Sequence, residues 1–207
     1  MIEIIENSIQ LVIALGCTVT AVYRGIRVKR REWVLMALFS GSYFLGDLYW
    51  LLFLLFYGET PDFSYIPDMS WYAGFLFLLI LLLQFREGFQ TSRKKILWLV
   101  PVFTVSMCAF YMQWGSYISN IIYAALLTLI LLKAVDGELT VREGTEQKNY
   151  HMLFRMTMFF CAMEYCMWTA SCFFEGDSLR NPYYWFDILL TVSLIGFIRA
   201  VRRAVDG

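Results

Sequence analysis

Charge is scarce in this chain. Only 16% of its 207 residues are Asp, Glu, Lys or Arg, where soluble domains carry about a quarter. A water-facing surface cannot be covered with so little, so a soluble globular domain is excluded. The formal net charge is +0, which removes the basic footprint a nucleic-acid partner requires. There is one histidine, His151. The five cysteines (Cys17, Cys108, Cys161, Cys166 and Cys172) stand singly in apolar runs with no CxxC pair. They read as small buried hydrophobes rather than as a disulfide framework or a zinc site. No metal and no cofactor is expected. GxSxG, HExxH and a phosphate-cradling glycine loop are all missing. The last apolar segment, PYYWFDILLTVSLIGFIRAV, has no lysine for a retinal Schiff base. The N-terminus, MIEIIENS, lacks a basic n-region and a small-residue cleavage site, so no removable signal peptide is expected. The longest polar stretch, AVDGELTVREGTEQKNYH, contains Gly137 and Gly144 and reads as a solvated connector. It is too short to be a kinase, cyclase or ATPase domain.

What the chain has instead is apolar length: 59% of its residues are hydrophobic and 18% aromatic. A membrane-spanning helix needs about 20 mostly apolar residues. Seven segments are expected to be such helices: 8–23, 33–57, 69–85, 96–113, 117–133, 152–174 and 182–201. Pro67 and Asp68 open the third, and Pro101 within the fourth is expected to kink it. Asn181 and Pro182 read as the cap and first residue of the seventh. The fold class is therefore all-α, a polytopic membrane protein with seven transmembrane helices forming one domain over residues 1–207.

Basic residues orient the spans. Arg24, Arg27, Lys29, Arg30 and Arg31 follow the first, and Arg86, Arg93, Lys94 and Lys95 the third. Lys133, Arg142, Lys148 and Arg155 flank the connector, and Arg199, Arg202 and Arg203 lie at the C-terminal end. Sixteen of the seventeen Lys and Arg residues thus fall on alternate loops, leaving only Arg180 on the other side. The pattern calls for an odd number of spans in an inner or plasma membrane, N-terminus outside and C-terminus cytoplasmic. The outer side carries Glu3, Glu6, Glu59, Asp62, Asp68, Glu175 and Asp177. Excluding bases from translocated loops leaves such a surplus on its own; a vestibule that concentrates cations is the functional alternative.

Three acids lie inside the spans: Asp47, Glu164 and Asp187. No Lys or Arg lies at comparable depth. A carboxylate at membrane depth costs several kcal/mol unless it is protonated, paired or wet. Helical spacing sets Tyr43, Trp50 and Leu54 on the stripe of Asp47, and Thr157, Cys161 and Trp168 on that of Glu164. Tyr183, Tyr184 and Thr191 gather near Asp187. Acid with aromatic neighbours suits an organic cation, through charge and a ring face. Protonated acids bonded to a neighbouring helix are the structural alternative. The candidate ligand-binding residues are Asp47, Glu164, Asp187, Tyr43, Trp50 and Trp168. Trp71, Trp114 and Trp185 read as outer-interface anchors, Trp33 and Trp98 as inner ones. Gly41 and Gly46 are expected to allow close packing, Gly74 less so.

The second and sixth segments resemble each other. YFLGDLYWLLFLLFYGE and FCAMEYCMWTASCFFEG each hold an acid, then a tryptophan one turn on, then an aromatic exit into a Gly/Glu pair. Each is followed by a proline and an aromatic pair. This implies a parallel internal repeat of three helices (8–87), a linker helix (95–114) and three helices (117–201), a plan found among transporters. Sugar-transporting SWEET proteins share that plan, but their helix prolines and the related PQ motif are absent. The phrase SYFLGDLYW also resembles the Ser/Gly-Asp segment of the YhhN (lysoplasmalogenase-like) membrane proteins, over that segment alone. The resemblance implies a lipid-modifying enzyme as one reading.

The leading expectation is a protein that binds and translocates a small polar or cationic solute through a central acidic-aromatic site. A ligand-sensing membrane subunit that signals through a partner is the second, and the intramembrane enzyme the third. Expected partners are the lipid bilayer and a small-molecule solute or ligand; a cytoplasmic protein or further copies of the chain stay open.

Overall fold

The computed structural model describes residues 2–60, 65–86, 94–141 and 149–206. Asp62, Arg93, Arg142, Gly144 and Lys148 lie outside the described residues. Within them the chain is helical throughout: α1 (Ile2–Val28), α2 (Arg31–Tyr57), α3 (Tyr65–Phe85), α4 (Leu99–Tyr111, entered through a 3-10 turn at Lys95–Trp98), α5 (Tyr117–Thr140), α6 (His151–Phe173) and α7 (Pro182–Asp206). The ends follow local chemistry. Asn181 Oδ1 accepts the Tyr183 amide at 3.0 Å, so Asn181 caps α7 and Pro182 takes its first position. Gly58, at φ 74, closes α2 with its amide on the Leu54 carbonyl. The first amides of α1, at Ile2 and Glu3, are taken by the two carboxylate oxygens of Asp177 at 3.1 and 2.9 Å. The loop between α6 and α7 thereby holds the start of α1.

Five helices are long and apolar enough to cross a membrane: α1, α2, Ile66–Phe85 of α3, α5 and α7. The apolar stretch Lys95–Tyr111 is shorter. The 23-residue α6 is long enough but diluted by Glu164, Tyr165, Trp168 and Thr169. Large apolar side chains face outward along whole helices, with Val12, Val19 and Ile26 on α1 and Leu38, Leu45 and Leu52 on α2 all exposed. Water would not tolerate that much contiguous apolar surface. The outside of the bundle is thus consistent with a membrane location.

Packing closes a ring. α1 packs on α2, α2 on α3, α3 on α5, α5 on α6, α6 on α7, and α7 back on α1. The chain skips α4, which packs on α5. The core inside the ring is aromatic. Phe39, Tyr43, Phe75, Phe160 and Phe197, from α2, α3, α6 and α7, meet edge to face at centroid distances of 5.3–6.1 Å, the geometry aromatic quadrupoles favour.

Several local expectations are corrected. α1 runs well past 8–23 at both ends, and α3 starts at Tyr65. Pro101 is the third residue of α4, just after the 3-10 turn at Lys95–Trp98. α5 continues to Thr140 through residues expected in the connector. Gly137 there is a packing glycine: a Cβ on it would lie 2.6 Å from the Phe154 ring. Beside it Asp136 and Arg86 form a buried ion pair at 2.6 Å. Trp33 is 0% exposed and so is no interfacial anchor; Arg24 lies over its ring at 5.9 Å. Gly74 is as tight as Gly46, because the Tyr43 ring lies 2.9 Å from where its Cβ would be.

Candidate functional site

Each mid-span acid is held by one neutral donor. Asp47, 3% exposed, accepts a hydrogen bond at Oδ1 from the Trp71 indole at 3.3 Å. That indole comes from α3 and reaches Asp47 by crossing α2 at Gly46, where a Cβ would lie 2.7 Å from Nε1. The other oxygen, Oδ2, is buried with no hydrogen-bond partner. Glu164, 4% exposed, accepts at Oε1 from the Tyr43 hydroxyl at 2.8 Å. Tyr43 shares a stripe with Asp47 on α2, yet its hydroxyl serves the acid on the opposite helix. Asp187, 5% exposed, accepts at Oδ1 from Gln10 of α1 at 3.0 Å. Glu6, one turn before Gln10, neighbours Asp187, and neither Glu6 oxygen receives a hydrogen bond from a donor group.

Asp47, Trp71, Tyr43, Glu164, Gln10 and Asp187 line one cavity of about 820 Å³. All six residues singled out from the sequence line it: Asp47, Glu164, Asp187, Tyr43, Trp50 and Trp168. The lining also includes exposed residues between the helices, such as Thr60, Ser116 and Gly176, so the cavity opens at the end holding the start of α1 and the end of α2. Glu3, Asp68, Glu175 and Asp177 stand around that mouth. Among the described residues no Lys, Arg or His lines it. The walls are aromatic: Trp50 faces Trp71 at 6.0 Å, and Tyr123 meets Trp168 at 4.4 Å. Tyr43 and Phe75 belong both to the lining and to the buried aromatic cluster beneath, which forms the floor. The remaining stripe residues, Leu54, Thr157, Cys161 and Thr191, are not part of the lining.

Some functional neighbours left no mark in the sequence. Trp71 and Trp114, read as interfacial anchors, both line the cavity. Gln10 and Asn7 sit among ordinary apolar residues of α1, where an amide gives no spacing signal. Tyr111 and Tyr123 line it as well, and nothing separated them from the other tyrosines of the chain.

Chemically, the cavity offers negative charge and ring faces with no competing base: a charged guest that is welcome there is a cation. No family model matches the chain, and no curated protein or solved structure matches it either.

Proposed function

We propose that this protein crosses the membrane seven times, N-terminus outside, and binds a small cationic or polar solute in the acidic-aromatic cavity in order to move it across. The observation that carries the reading is the one-sided cavity whose charged lining, among the described residues, is acidic alone. With five spans α5 would end outside and carry Lys133 and the basic residues of the connector with it; the basic asymmetry places them in the cytoplasm, so α4 and α6 cross as well. The low hydropathy of α6 fits that, because its polar residues Glu164 and Trp168 face the cavity and not lipid. In this orientation the cavity opens outward and the basic ends of the helices lie in the cytoplasm.

The ring order supports a parallel repeat. A half-turn about the ring axis exchanges α1 with α5, α2 with α6 and α3 with α7 and preserves the six contacts around the ring, while the additional α2–α7 contact has no α6–α3 counterpart of similar extent. Asp47 on α2 and Glu164 on α6 become equivalent positions facing one space. The plan is that of transporters with an axis along the membrane normal.

The test is solute binding and uptake. Purified protein is titrated with alkylammonium salts and matched neutral alcohols, and proteoliposomes are assayed for entry of the labelled salts. Asp47→Asn and Glu164→Gln are each expected to weaken ammonium binding at least about tenfold, as loss of one charge-assisted contact predicts. Uptake is expected to fall with binding. Binding without uptake would make the protein a sensor, and tighter binding of the neutral alcohols would remove the cation reading.

A further inference from the structure

The acids of the cavity are staggered along its axis. At about 1.5 Å per residue, Asp47 lies about 15 Å below the outer end of α2 at Tyr57, and Glu164 about 14 Å below that of α6 at Phe173. Asp187 lies about 8 Å inside the start of α7 at Pro182, by the same helical rise. Glu3 and Glu175 stand at the mouth. The acids thus form three levels, separated by about 7 Å and then about 8 Å. Between the levels the lining is aromatic.

A compact ion cannot use such an arrangement. Among the described residues no three acids, cysteines or histidines converge as a metal ion would need. A small monocation bound at one level leaves the others unmatched. The cavity also asks for charge at its deep end. Asp47 is buried and lines the cavity, yet Oδ2 has no partner, although Oδ1 is satisfied by Trp71. A buried acceptor left open in this way is costly unless a donor arrives.

We infer that the solute is a linear aliphatic polyamine, taken lengthwise with one ammonium at the Asp47 and Glu164 level and another near Asp187. Nitrogens joined by three or four methylenes are about 5–6 Å apart in an extended chain, from ordinary bond lengths. That is about 2 Å short of the rise between the levels, and the reach of about 2.7–2.9 Å in each ammonium–carboxylate contact makes up the difference. The methylenes lie against the ring faces of Trp50, Trp71 and Trp168, and each ammonium adds a cation–π contact to its carboxylate. The inference rests on the proposed cation-binding role of this cavity and specifies its ligand.

The experiment compares butylamine, butane-1,4-diamine and the linear triamine N-(3-aminopropyl)butane-1,4-diamine on the purified full chain, by calorimetry at fixed ionic strength. Affinity is expected to rise about tenfold with each added ammonium, the effect of one further charge-assisted pair. Asp187→Asn keeps an oxygen for Gln10. It is expected to weaken the triamine about tenfold and to shrink its advantage over butylamine. Glu175→Gln, in the exposed loop at the mouth, is the variant that cannot disturb the bundle, and it is expected to shrink that advantage as well. If butylamine binds as tightly as the triamine, or if neither variant narrows the gap, the polyamine inference is overturned and the cation reading stands. If none of the three amines binds, both fall.

Discussion

At the scale of single residues, Asp47 poses the sharpest energetic question. An acid buried to 3% exposure with one oxygen unpaired is tolerated only where something else can supply a proton or a cation. Asp47→Asn retains an oxygen for the Trp71 indole and removes the charge. It is expected to keep the thermal stability of the parent in detergent within about 1 kcal/mol, the scale of one neutral hydrogen bond. A lysine at this position would find carboxylate partners, because Glu164 and Asp187 line the same cavity. Asp47→Lys is therefore expected to fold and to abolish amine binding, its own ammonium standing in for the guest. The contrast is Leu45→Lys, two residues away and 57% exposed toward the apolar outside, which is expected to cost about 2.5–3.5 kcal/mol of insertion. Equal expression and melting temperature for the two lysine variants would show that the acidic face and the lipid face have been confused. The three acids were legible because a charge in an apolar run has no neutral explanation. Their donors were not: Tyr43 and Glu164 are 121 positions apart, and no periodicity connects residues across a bundle.

At the scale of elements, α5 shows where reading by composition gives way. Ala-Val-Asp-Gly-Glu after an apolar run looks like the start of a loop, since Gly and Asp are poor helix formers. Packing overrides the propensity. Gly137 lets the Phe154 ring sit on the helix, and Asp136 points to Arg86 at 2.6 Å with both side chains buried. Next to Gly137, Glu138 bonds His151 Nδ1 and Arg155 Nε, each at 2.7 Å, tying α5 to α6. The Arg86–Asp136 pair joins α3 to α5, the one neighbouring pair in the ring's first half whose helices are not consecutive in sequence. Removing one partner takes the buried counter-charge from the other, which costs about 3–5 kcal/mol. Arg86→Met alone and Asp136→Leu alone are each expected to lower the melting temperature sharply, and the double variant to recover most of the loss. Additive losses in the double variant would mean that the pair is not an isolated unit. The start of α7 marked by Asn181 and Pro182 was legible, because a cap is local chemistry. The end of α5 was not, because the partners that hold it, Arg86 and Phe154, are on other helices.

At the scale of the whole molecule, the apolar outside and the acidic interior invert the distribution of a soluble protein, and that inversion was legible from composition and from the placement of sixteen basic residues. The closed ring was not, since it depends on α7 meeting α1 and on α4 being left outside. The native cysteines can read both orientation and cavity. Cys172 lies in the cavity wall near the mouth, while Cys161, one turn deeper than Glu164, is fully buried. In sealed vesicles with the native orientation, a membrane-impermeant thiol reagent added outside is expected to label the protein. Cys172→Ser is expected to abolish that labelling, and Cys161→Ser to leave it intact. A saturating cation that occupies the cavity is expected to slow the reaction, because it must displace the same solvent that carries the reagent past Glu175 and Trp168. A reporter fused after Gly207 is expected to be cytoplasmic in the same cells, and one inserted after Glu59 external. Labelling of Cys172 only from the cytoplasmic side would reverse the topology and turn the cavity inward. Labelling that survives Cys172→Ser would place the accessible thiol on the lipid-facing surface, near Cys108 or Cys166, and would remove the open mouth on which outward binding depends.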